Sequence, residues 1–154
     1  MLTIVFATCT VPLALAGGTP TDGTLSVKRG RGVVTLKLTG TIIGRVANGR
    51  VQIRDFKPGD GNDPQWSCKR HRISRPVSYC KGRNLGFRVD DGRFAVTVRG
   101  TGISISAVGH GEVDVDGAGD TGVNDGVLSI DDAPYQSLPD LPTTFTLGPP
   151  PPGS

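Results

Sequence analysis

Gly32-Val-Val-Thr-Leu-Lys-Leu-Thr-Gly-Thr41 decides the fold, because its pattern returns as Gly92-Arg-Phe-Ala-Val-Thr-Val-Arg-Gly-Thr101. In the first stretch Val34, Leu36 and Leu38 alternate with Thr35, Lys37 and Thr39. In the second, Phe94, Val96 and Val98 alternate with Ala95, Thr97 and Arg99. A period of two marks a half-buried strand, since successive side chains point to opposite faces. The likeness spreads outward. Leu25-Ser-Val-Lys28 matches Leu85-Gly-Phe-Arg88 at the same offset of 60, and Val46–Ile53 matches Val108–Val115 at an offset of 62. A two-residue insertion near Ser104-Ile105-Ser106 accounts for the change. Residues 25–54 and 85–116 therefore read as two copies of one supersecondary unit.

Glycines at 32, 40 and 49, and again at 92, 100 and 111, mark turns between about four short antiparallel strands in each copy. Two such units packed face to face predict an all-β fold, an antiparallel β-sandwich or a flattened barrel. A parallel β-helix is the alternative, but it needs more and shorter repeats. No stretch carries a helical period. The 23 Gly and 12 Pro agree with many turns and few helices.

The length of 154 residues fits one β-domain, spanning 17–147. Within it, residues 55–82 form an insertion between the two copies, and Val127–Ile130 and Thr143–Leu147 read as edge strands. Residues 148–154 are rich in Pro, which has no N–H to donate to a sheet, so they predict a disordered or polyproline tail. Residues 1–16 read as a signal peptide: Leu2 to Leu15 is mostly apolar and uncharged, and Ala14-Leu15-Ala16 offers the small-x-small cleavage pattern. No Lys or Arg precedes the apolar run, a departure from the usual signal. Cleavage after Ala16 removes Cys9 and leaves Cys68 and Cys80, which in an exported chain predict one disulfide. The expected location is extracellular or in the cell envelope, with no membrane-spanning segment after cleavage. The Gly-, Val-, Arg- and Asp-rich composition resembles that of exported proteins of high-GC bacteria.

Charge divides the chain. All 17 Lys and Arg lie at or before Arg99, with only six acids among them, whereas the residues from Gly100 onward hold eight acids and no Lys or Arg. The last strand of copy one presents Arg50, Gln52 and Arg54 outward, and that of copy two presents Glu112, Asp114 and Asp116. Opposite strands of this kind suit pairing within the molecule or between copies, which would make the protein a self-associating structural module.

The insertion supplies the main binding candidate. Trp66, Lys69, Arg70, Arg72, Arg75, Tyr79, Lys81 and Arg83, with His71 among them, form a stretch without an acid, centred on the Cys68–Cys80 loop. Cations hydrogen-bond sulfate, phosphate or carboxylate, and aromatic rings stack on sugars. The expected partner is an acidic glycan or envelope polymer, since export argues against cellular nucleic acid. A second candidate is a calcium loop formed by Asp114, Asp116, Asp120, Asn124 and Asp125, oxygen donors on a Gly-rich stretch. Position five of that loop is Ala118 and position twelve is Asp125 rather than Glu, so a plain Gly/Asp turn competes with it. No other cofactor is expected.

Signatures of catalysis are missing. The sequence has no Gly-x-Ser-x-Gly, His-Glu-x-x-His, phosphate loop or Cys-x-x-Cys motif. His110 aligns with Asn48 in a turn between strands, and His71 sits among cations, so neither reads as a general base. The reading is a non-catalytic domain, and a small hydrolase without a recognisable motif is the further alternative.

Overall fold

A computed structural model describes residues 22–68, 71–74 and 76–149, with only the backbone described for 71–74. Among the described residues there is no helix. The elements are β1 (Gly23–Asp55), β2 (Gln65–Trp66), β3 (His71–Ser74), β4 (Val77–Gly117), β5 (Val127–Ile130), β6 (Gln136–Ser137) and β7 (Thr143–Leu147). All pairings are antiparallel.

β1 and β4 are very long because the glycines predicted as hairpin turns bend the strands instead of reversing them. The segments of one copy pair with segments of the other copy, not with one another. Residues 32–40, for example, pair with 92–100 on one side and 109–117 on the other. The two ladders sort the segments into two layers. The first runs β7, 109–117, 32–40, 92–100, 48–55, 77–83, β3. The second runs β6, β5, 23–27, 103–109, 42–46, 85–89, β2. This is a β-sandwich or flattened barrel whose sheet is not closed. Its corners are made by strands that cross from one layer to the other.

Close backbone approach at those corners explains the glycines. Gly32, Gly40 and Gly49 each face a glycine on both neighbouring segments. Gly40 lies opposite Gly109, and both have positive φ (145° and 156°). A Cβ on Gly40 would stand 2.2 Å from the Val108 carbonyl oxygen, and one on Gly109 equally close to that of Thr39. Only glycine permits both the conformation and the contact.

The duplication is visible as an approximate two-fold relation. Leu36 and Val96, equivalent under the 60-residue offset, are direct cross-strand partners, and Gly32 and Gly40 face Gly100 and Gly92. Burial refines the alignment. Inward residues are 34, 36 and 38, then 42, 44 and 46, then 51 and 53 in copy one. In copy two they are 94, 96 and 98, then 103, 105 and 107, then 113 and 115. The offset thus grows from 60 to 61 to 62, one residue at each of two corners, rather than by two residues at Ser104-Ile105-Ser106. Val46 is equivalent to buried Ala107, and this is why Val108 is half exposed.

The inward side chains merge into one cluster that includes Leu25, Leu36, Leu38, Ile53, Phe87, Phe94, Val96, Val98 and Leu147. Each such Val, Leu or Phe contributes roughly 1.5–3 kcal/mol on burial. The insertion completes one edge of the sandwich: β2 adds the last strand to the second layer and β3 to the first. The Cys68–Cys80 disulfide ties the chain after β2 to the buried face of 77–83. The opposite edge is finished by β5 and β6 on one layer and by β7 on the other. The predicted signal (1–16) and most of the predicted tail (150–154) lie outside the described residues.

Candidate functional site

The outer face of the first layer follows from register. Residues facing each other across neighbouring antiparallel strands have Cβ atoms about 4.5–5.5 Å apart. Arg50 faces Lys81 on one side and Arg99 on the other, so three cations stand in a row across three strands. The adjoining rows are Tyr79–Gln52–Thr97, Val77–Arg54–Ala95 and Arg83–Asn48–Thr101. β3 sets the Arg72 backbone opposite Tyr79. Lys81, Arg50, Arg54, Arg83 and Arg99 are all exposed. None of these five has an ion-pair partner among the described residues.

Of the binding residues expected from the sequence, Tyr79, Lys81 and Arg83 share this face. Lys69, Arg70 and Arg75 lie outside the described residues, as does the side chain of Arg72. Trp66 is not on the face. It sits on β2 at the edge of the second layer, partly buried against the core, with its ring centroid 6.4 Å from that of Phe87. A partly polar indole at a two-residue edge strand buries its apolar body where it can. Arg50, Arg54 and Arg99 belong to the face but come from other parts of the chain. Arg50 and Arg54 were legible as outward residues, but nothing in the sequence shows that Lys81 and Arg99 flank Arg50.

Across the same layer the charge reverses. Arg99 faces Val33, which faces Asp116. Thr97 faces Thr35, which faces Asp114, and Ala95 faces Lys37, which faces Glu112. The strands carrying Arg50–Arg54 and Glu112–Asp116 therefore lie on one face but three strand spacings apart, roughly 14 Å. Direct cross-strand pairing between them within one molecule, expected as one possibility, does not occur, because segments 92–100 and 32–40 lie between. Among the described residues this arrangement brings Lys37 directly opposite Glu112.

The five predicted calcium ligands do not converge. Asp114 and Asp116 lie on the outer face of β4, where Thr144 Oγ1 donates to Asp114 Oδ1 at 2.6 Å. The Asn124 side chain closes a turn by accepting from Gly126 N at 2.8 Å. Asp120 pairs with Arg31, and buried Asp125 accepts from Gly119 N at 2.6 Å while its Oδ1 stands 3.9 Å from Arg31. The Arg31 guanidinium thus meets two of the five, Asp120 and Asp125. Among the described residues no group of three or more His, Cys, Asp or Glu is placed to hold a metal.

His110 is not in a turn, as its alignment with Asn48 suggests, but on β4, with Nδ1 3.2 Å from Asp22 Oδ1. Both side chains are more than half exposed. On the second layer, Lys28 lies 4.2 Å from the Tyr135 ring centre, and the Ser26 and Tyr135 hydroxyls are hydrogen-bonded at 2.9 Å. The interaction with Lys28, then that with Ser26, holds the Tyr135 phenol below its ordinary pKa. No protein-family model, curated protein or solved structure matches this chain.

Proposed function

We propose that this chain is a non-catalytic, extracellular or envelope-associated domain that binds an acidic polymer, such as a sulfated, phosphorylated or uronic-acid glycan, along the first layer. The observation that carries the reading is the Lys81–Arg50–Arg99 row. Like charges set directly across neighbouring strands oppose folding, and these have no acidic partner among the described residues. A polyanion laid across the strands relieves that repulsion and releases its own condensed counterions. Arg54 and Arg83 extend the array along the strand direction, and Tyr79 offers a ring beside it. Export is supported by the Cys68–Cys80 disulfide and by the apolar start of the chain.

The test is titration with heparin as the probe, followed by fluorescence anisotropy over a range of salt concentrations. Binding that weakens linearly in log salt, and weakens at least tenfold when Arg50 and Arg99 are changed together to Gln, supports the proposal. Affinity unchanged in that variant refutes it.

A second reading rests on the charge reversal across the same face. Two copies stacked in opposite directions place Arg50 and Arg99 of one over Asp114 and Asp116 of the other, which makes the face self-complementary. Sedimentation velocity separates the readings: a dimer that dissociates above about 0.5 M salt, where screening is nearly complete, supports self-association. A monomer at all salt concentrations removes it.

A further inference from the structure

Where the insertion meets the edge of the sandwich there is a cavity of about 80 Å³. Asp55, Asp63, Trp66 and three prolines, Pro58, Pro64 and Pro76, form most of its wall, with Ser78 also reaching it. Asp55 is the last residue of β1 and is 6% exposed. Its backbone N–H donates to the Pro76 carbonyl at 2.9 Å, which fixes the residue against the far side of the insertion. Its Oδ1 accepts from Lys57 N at 2.7 Å. Its Oδ2 is buried and accepts from no group among the described residues.

We infer that this cavity is a binding site for a primary ammonium group. A buried carboxylate oxygen left without a donor is costly, and charge-assisted hydrogen bonds are among the strongest a site can offer. Among the described residues the lining carries two carboxylates and no cationic side chain. Its prolines lack backbone N–H groups, so the walls are rich in acceptors and poor in donors. An ammonium is the complement: three donors and no acceptor. Trp66 also lines the cavity.

The geometry also selects among cations. A guanidinium is matched to two oxygens of one carboxylate, and here Oδ1 is already engaged by the Lys57 backbone. A quaternary ammonium has no N–H to give Oδ2. A compact point charge on a slim alkyl stem fits both the single free oxygen and the volume.

Trp66 is the only tryptophan in the chain, so its emission reports on this cavity without a label. Titration of the native protein with n-butylammonium chloride is expected to change that emission saturably. 1-Butanol, which has the same stem without the charge, and tetramethylammonium are expected to give no saturable change. Asp55→Asn keeps the shape and is expected to weaken n-butylammonium at least about tenfold. Titration with Nα-acetyl-lysine methylamide distinguishes the sources: a similar response shows that a lysine side chain is accepted, and no response restricts the site to free amines. The inference is overturned if n-butylammonium gives no saturable change, if 1-butanol or tetramethylammonium reproduces its curve, or if Asp55→Asn binds as the native protein does. Should Asp55→Asn fail to fold, the comparison of n-butylammonium with 1-butanol on the native protein decides alone.

Discussion

Replacing Arg50 by Gln removes the central cation of the row, and two effects of opposite sign should follow. Arg50 faces Lys81 and Arg99 directly, so the change deletes two like-charge cross-strand contacts. A cross-strand pair is worth roughly 0.2–1 kcal/mol, and exposure places these at the lower end, which gives a stabilisation of about 0.5 kcal/mol. For a domain of this size that raises the melting temperature by roughly 1–2 °C. The gain should appear at about 10 mM salt and fade at about 0.5 M, where the screening length is only a few ångströms. Polymer binding should move the other way, with earlier elution from a heparin column and a shallower salt dependence by about one contact. The measurements are thermal unfolding at the two salt concentrations and salt-gradient elution from heparin. If Arg50→Gln melts at or below the native temperature in low salt and elutes from heparin unchanged, the row is neither strained nor a binding element.

Gly40→Ala sets a methyl 2.2 Å from the Val108 carbonyl oxygen at a φ that alanine avoids, and should cost roughly 3 kcal/mol or more in a urea titration. Cys68→Ser with Cys80→Ser opens a short loop (sequence separation 12) and should lower stability by about 3 kcal/mol in the same assay, with the loss matched by reducing the native protein. Tyr135 should ionise below the ordinary phenol range in an ultraviolet pH titration of the Tyr79→Phe protein. Because Lys28 favours the phenolate, Lys28→Met should shift that transition to higher pH.

The alternation of Val34, Leu36 and Leu38 and of Phe94, Val96 and Val98 is enough to find the core, because one-sided burial leaves a period of two in the chain itself. The disulfide is legible for a similarly local reason: once the apolar start is set aside, only two cysteines remain. The corners are not legible. A glycine that bends a strand and a glycine that reverses it look alike in sequence, and only the positions of the facing glycines separate the two cases. For the same reason the sequence does not show that the extra residues of copy two sit singly at two bends. The inward side chains of Ile103, Ile105 and Ala107 fix that register, and they do so only once their burial is known.

The candidate site is legible only in part. Tyr79, Lys81 and Arg83 stand out as outward residues in an acid-free stretch. Arg50 and Arg99 join them through pairings between residues far apart in the chain, and such spacings leave no local trace. The place of Trp66 is not legible from its neighbours in sequence: it lies on β2 of the second layer, away from the row of cations, where the indole packs beside Phe87. The placement of the acidic loop is not legible either: Asp120 pairs with Arg31, and Asp125 Oδ2 and Asn124 Oδ1 accept from backbone N–H groups of the turn, arrangements that a count of carboxylates does not reveal.

The most direct test compares two variants of equal net charge for heparin affinity in low salt. One carries Arg50→Gln, Lys81→Gln and Arg99→Gln on the first layer, and the other Lys28→Gln, Arg45→Gln and Arg88→Gln on the second. The first is expected to lose at least about tenfold in affinity while the second stays within about twofold of the native protein. Equal losses in the two variants would contradict it, because binding would then follow net charge and not the row of cations across the strands.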